Sequence, residues 1–156
     1  MCNLYSITKG QAAIREFTGA MRDSTGNLPS LPGVFPDYAA PVVRNAGDGE
    51  RELAMMRWGM PSPQFVLKGR SVDGGVTNVR NVKSPHWRRW LGPEHRCLVP
   101  FTSFSEYETT AEGKKAPVWF AANESRPLMA FAGIWTNWTS VRKTKEGEVN
   151  ADLYAF

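Results

Sequence analysis

Hydrophobic spacing changes its period twice along the chain. Ala13, Ile14, Phe17 and Met21 recur at helical intervals, and Thr8 with Gln11 has capping-box spacing. This predicts a helix over about residues 9–21, its apolar stripe on the core. Asp23-Ser24-Thr25-Gly26-Asn27 is a loop by composition. Residues 28–41 carry Pro29, Pro32, Pro36 and Pro41, so the chain there is extended and irregular. Val34, Phe35 and Tyr38 call for burial, which makes this stretch an ordered wall rather than a linker. Val42-Val43-Arg44, a turn at Asn45-Ala46-Gly47-Asp48-Gly49 and a strand from Arg51 to Trp58 form a hairpin. Trp58-Gly59-Met60-Pro61-Ser62-Pro63 then opens a long loop to about residue 76, a length that in a compact domain often marks function.

Ser84 as N-cap with Pro85 behind it predicts a short helix that ends at Gly92-Pro93. From there the pattern is strand: Cys97 to Pro100, Phe104 to Tyr107, Val118 to Ala121, Leu128 to Trp138, and Val149 to Phe156 after a polar tip at Lys143 to Gly147. The expected fold is α+β, mostly antiparallel strands and hairpins with two short-to-medium helices, in a single domain over residues 1–156. A chain that stops at Phe156 in mid-strand reads as lacking its C-terminal part.

Composition narrows the class. With 42% apolar and 22% charged residues, 156 residues fold as a globular chain with a real core. Lys and Arg outnumber Asp and Glu by 19 to 15, which agrees with a polyanionic partner without requiring one. Six Trp supply both core volume and candidate platforms for stacked bases. Two cysteines far apart, Cys2 and Cys97, with only His86 and His95, give no zinc pattern, and no cofactor motif is present. There is no signal segment and no apolar run of membrane-spanning length. The expectation is a cytoplasmic protein, monomeric, away from membranes.

Chemistry concentrates in a few residues. Cys2, directly behind the initiator methionine, would on loss of Met1 carry a thiol and a free α-amine on one carbon skeleton. The bland alternative, a small buried hydrophobe, suits Cys97 better than a chain start. Alternation in Phe104-Ser105-Glu106-Tyr107-Glu108 puts Glu106 on the face of Phe104, where desolvation would suit it to proton transfer. That segment alone favours an exposed edge-strand charge. Asn78 and Arg80 share a side, as an orienting amide and a phosphate-binding fork; alone, they read as a turn Asn and a solvated Arg. Trp58, Trp87, Arg88, Arg89 and Trp90 interleave aromatic and basic groups as single-stranded nucleic acid requires, with Trp87 or Trp90 expected in the core and Arg88 and Arg89 outside.

Met1-Cys2-Asn3-Leu4-Tyr5, Ala39-Ala40-Pro41, Trp58-Gly59-Met60-Pro61, Asn78-Val79-Arg80, Arg96-Cys97-Leu98-Val99-Pro100, Phe104-Ser105-Glu106-Tyr107 and Phe131-Ala132-Gly133-Ile134-Trp135 stand in an order that resembles the SRAP family, the abasic-site processing proteins. The resemblance covers essentially the whole chain. It implies a thiazolidine crosslink to abasic sites in single-stranded DNA, with Cys2 as nucleophile, Asn78 as orienting amide and Glu106 as acid/base group. By the same resemblance Asn3, Pro41, Trp58, Arg80 and Arg88 contact DNA, and no metal or cofactor takes part. The chain departs from the family pattern at Asn3-Leu4, where Gly-Arg is common, and at Tyr107, where Trp is common. The family's histidine motif has no counterpart here, and His86 and His95 precede Glu106. A non-catalytic single-strand binder and a thiol peptidase are the competing readings.

Overall fold

The structure is a computed structural model and describes residues 2–156; Met1, and with it the expected removal of that residue, lies outside them. Ten strands and two α-helices follow in the order β1 (Leu4–Ile7), α1 (Gln11–Thr18), β2 (Arg22–Asp23), β3 (Leu31–Val34), β4 (Ala39–Asn45), β5 (Arg51–Trp58), α2 (Gln64–Leu67), β6 (Arg96–Phe101), β7 (Ser103–Thr109), β8 (Lys115–Phe120), β9 (Met129–Val141) and β10 (Glu148–Ala155). The fold is α+β and strand-rich. One sheet runs β3-β1-β7-β8 and the other β10-β9-β6-β4-β5-β2. A parallel pairing of β10 with β5, Leu153 opposite Arg57 and Tyr154 opposite Trp58, closes five strands of the larger sheet into a barrel. Closure removes the edges that a flat sheet would leave open to other chains.

The core lies where the two sheets meet. Tyr5, from β1, sets its ring edge-on to Trp58 and Phe156, at centroid distances of 5.0 and 5.8 Å. Trp58 stacks on Tyr154 and Phe156, and its indole Nε1 donates to the Thr77 carbonyl at 3.1 Å. The Tyr5 and Tyr154 hydroxyls bond to each other, so neither buried phenol is left without a partner. Trp58 is 1% exposed, so Trp58→Ala would leave a large cavity beneath the N-terminal strand. A loss of about 3–5 kcal/mol is expected, measurable by urea unfolding.

Cys97, on β6, is buried in the same core, and desolvation pushes its thiol up to about 12 from an ordinary 9.0. The unfolded chain therefore gives up this proton first. Its contribution to stability is intact below pH 9.0 and is lost as pH rises toward 12. Cys97→Ala is expected to flatten part of that alkaline loss, read by unfolding at about pH 8 and about pH 11.

Several sequence expectations need correction. The first helix is shorter than 9–21, because Gly19 takes the left-handed conformation (φ 67°) and ends it. Its capping box does not form; Gln11 instead donates to the Asp23 carboxylate at 2.7 Å, and Thr8 bonds Thr102. Ile14 and Thr18 are buried, whereas Phe17 and Met21 are exposed. Residues 84–91 form turns and a 3-10 segment, Arg88–Trp90, rather than an α-helix; the second α-helix is α2, inside the long loop. Val34 is buried, but Phe35 and Tyr38 stand half-exposed, packed on each other with centroids 5.6 Å apart. The strands are not all antiparallel, since both β2 and β10 pair with β5 in parallel.

Candidate functional site

β1 forms the middle of the smaller sheet on one side, pairing with β7 through Leu4 opposite Ser105 and Tyr5 opposite Phe104. That register ties down a chain start that would otherwise fray. It also carries Cys2 and Asn3 to the part of β7 that holds Glu106. Pairing across β7 and β8 sets Phe104 opposite Phe120 and Glu106 opposite Val118, so Glu106 lies on the face of Phe104, as alternation requires.

Cys2 is 6% exposed and packs on the main core. Its thiol donates to the Leu4 carbonyl at 3.4 Å. Burial raises the thiol above its ordinary 9.0, and the nearby Glu106 charge adds to the rise, against the backbone hydrogen bonds of Leu4 and Ser105. The group is therefore a neutral S–H at physiological pH, and Glu106 is close enough for its charge to be felt there.

Asn78 fixes the other side of the same residue. Its Nδ2 donates to the Cys2 carbonyl at 2.9 Å and lies 2.9 Å from Thr77 Oγ1, which donates to Asn3 Oδ1 at 3.4 Å. Asn78 is itself framed by backbone bonds on both neighbours. Val79 N–H donates to the Phe156 carbonyl at 2.8 Å, and Phe156 N–H donates to Thr77 at 3.3 Å. The amide thus holds the backbone of Cys2, a role the sequence pattern did not suggest.

A cleft of about 500 Å³ opens from this point, lined by Asn3, Asn78, Arg80, Phe65, His86 and Trp87 among others. Of the residues singled out from sequence, Cys2, Asn3, Asn78, Arg80 and Glu106 come together on this side of the molecule. Arg88 is exposed beside Trp87 but does not line the cleft. Trp58 and Pro41 are corrections. Trp58 is sealed in the core and cannot serve as a platform for a base, and Pro41 is buried in β4 opposite Met55. Trp87 and Trp90 are both buried, where only one was expected to be.

Phe65 was not anticipated. It sits on α2 at the rim of the cleft with 81% of its surface exposed, the most exposed large apolar side chain of the described residues. An isolated Phe between Pro63 and Gly69, in a loop too polar to need it for a core, was the available signal. His86 also lines the cleft, with Nε2 2.9 Å from the Pro61 carbonyl and its ring against Trp87 and Trp90. Among the described residues no group of three or more His, Cys, Asp or Glu could hold a metal ion, and no helix is long and apolar enough to cross a membrane.

Three solved structures share this architecture. A protein of Bordetella bronchiseptica superposes with a TM-score of 0.66 at 21% identity, over 99% of this chain and 70% of its own. A protein of Bacteroides thetaiotaomicron gives 0.67 at 18%, over 99% and 66%. A phage-related protein of Bordetella bronchiseptica gives 0.63 at 18%, over 97% and 68%. At these identities the likeness is one of fold. No curated protein matches the chain. The family described as SOS response associated peptidase matches residues 1–154. A match over nearly every residue places this chain in the SOS response associated peptidase (SRAP) family.

Proposed function

We propose that the protein captures abasic sites in single-stranded DNA as a covalent thiazolidine on Cys2. Family membership supports a DNA-related role tied to the SOS response. The observation that carries the finer reading is the convergence on one residue: Asn78 holds the Cys2 backbone while the Glu106 charge acts on its thiol, at the inner end of a cleft with Arg80 and Phe65 along it.

The chemistry follows from the groups present. An abasic deoxyribose opens to an aldehyde. The α-amine that Cys2 carries after loss of Met1 has a reference pKa of about 7.7–8.0, so part of it is neutral and nucleophilic at physiological pH. Its attack forms a C–N bond and a carbinolamine, and loss of one water leaves an imine. The thiol then adds to the imine carbon; a C–S bond forms and the thiol proton ends on nitrogen. The sum is aldehyde plus aminothiol giving ring plus water, with no change of oxidation state. Because the thiol enters protonated, a base must take its proton, and Glu106 is placed for that transfer and for proton delivery during water loss. Ring closure between groups on one carbon skeleton is effectively unimolecular. Arg80 takes a phosphate, Phe65 offers a face to a base, and Asn3 contacts the strand near the lesion. In this account the protein acts in the cytoplasm on single-stranded DNA.

The test uses two oligonucleotides, one with a natural abasic site and one with a tetrahydrofuran analogue that has no aldehyde. A heat-stable adduct is expected with the first only. Equal adduct with both, or none with either, contradicts the proposal.

A further inference from the structure

The loop between β5 and Asn78 is closed at its base by two buried charges of opposite sign. Asp73, 6% exposed, accepts the backbone amide of Ser62 at 3.1 Å and that of Gly75 at 2.8 Å. Arg142, also 6% exposed and next after β9, donates Nη1 to the Asp73 carbonyl at 3.3 Å and Nη2 to the Gly59 carbonyl. One carboxylate gathers amides from both ends of the loop, and one guanidinium gathers carbonyls from both ends. The Met60–Val76 bridge lies between them, and Asp73 N–H donates to Val141, fastening the loop to the end of β9.

Two glycines make room for the guanidinium. Gly59 and Gly75 have φ of 137° and 74°, conformations that L side chains rarely adopt. A Cβ on Gly75 would overlap Arg142 Nη1, and one on Gly59 would come within 3.3 Å of it. Burying an arginine is costly unless it is fully bonded, yet its Nε has no hydrogen-bond partner. An apolar plug would fill the same space at less cost. What the guanidinium adds is a fixed path for the two loop ends.

We propose that Arg142 is a positioning residue for the cleft: it holds loop 59–76 so that Phe65, Gly75 and Val76 stand as the wall against which a DNA strand lies. This rests on reading the cleft as a single-stranded DNA site. Asn78 has separate anchors in the Thr77, Val79 and Phe156 backbone bonds and in Trp58. Loosening the loop therefore weakens strand binding and leaves the groups around Cys2 in place.

Arg142→Met and the milder Asp73→Asn test this, with Arg142→Lys as the conservative variant. Hydrogen exchange over residues 61–75 is expected to quicken about tenfold in Arg142→Met while the barrel strands keep their protection. The abasic oligonucleotide concentration giving half-maximal crosslinking should rise about tenfold, with the rate at saturation within about threefold of wild type. Lysine, with one ammonium for two carbonyls, should restore part of the loss. General destabilisation would lower the folded fraction without moving half-saturation. If Arg142→Met does not fold, Asp73→Asn carries the same comparison at smaller amplitude. Unchanged exchange over 61–75 in the folded variants, or a lower saturating rate at unchanged half-saturation, overturns the proposal. A wild-type chain that binds single-stranded DNA without crosslinking leaves affinity as the readout; one that binds none removes the reading beneath the proposal and overturns it.

Discussion

Cys2→Ala is expected to eliminate every adduct that survives heating, whatever the incubation time. Alanine keeps an α-amine, so an imine still forms, but nothing is left to close the ring and the imine hydrolyses. Cys2→Ser sharpens the point, because serine retains the amine and a hydroxyl in the thiol's place. Both variants should give a product trapped by borohydride and no heat-stable product without it. Blocking the amine should be as damaging as losing the thiol, so a chain that keeps Met1 should crosslink no better than Cys2→Ala. The pH profile separates the two groups. Rate should climb between about pH 6 and about pH 8 as the amine loses its proton. No second rise from thiolate formation should appear below pH 9.0, because burial and the Glu106 charge hold the Cys2 thiol above that value. A thiol held high in this way is a poor resident nucleophile for peptide bonds, which weighs against the thiol-peptidase reading.

Glu106→Gln is the second large effect. The amide keeps the shape and removes the proton acceptor, so the crosslinking rate should fall on the order of 100-fold, the lower end for losing a positioned acid/base group. Single-strand affinity should change little or improve, since a negative charge beside DNA is lost. Asn78→Ala removes the hydrogen bond to the Cys2 carbonyl; a single bond of that kind corresponds to about tenfold in rate. The ordering of the two variants is the informative outcome. If Asn78→Ala were the more severe, the amide would be acting on the substrate rather than holding Cys2. Single-turnover rates at saturating oligonucleotide separate these cases.

The strand pattern was the most legible part of the chain. Alternation and turn composition located the β4–β5 hairpin and the strands from Arg96 onward, because a half-buried antiparallel strand writes its period into the sequence. Barrel closure was not legible. It depends on a parallel contact between β5 and β10, nearly a hundred residues apart, and local spacing carries no trace of such a pairing. Residues 84–91 misled for a related reason. Ser84-Pro85 is a sound helix start, but Trp87 and Trp90 are both drawn into the core, and turns and one 3-10 segment satisfy them where an α-helical face would not. Trp58 failed as a site residue through the same ambiguity, since an indole serves a core and a base platform equally well. The Asn78–Cys2 contact spans 76 positions and came within reach only through resemblance, while the clamp of Asp73 and Arg142 left no local pattern at all.

The most direct measurement is the intact mass of the adduct formed with an abasic oligonucleotide of known sequence. The account predicts the mass of the chain without Met1 plus that of the oligonucleotide, less one water. An adduct that retains Met1, or the same species formed by Cys2→Ala, would contradict it.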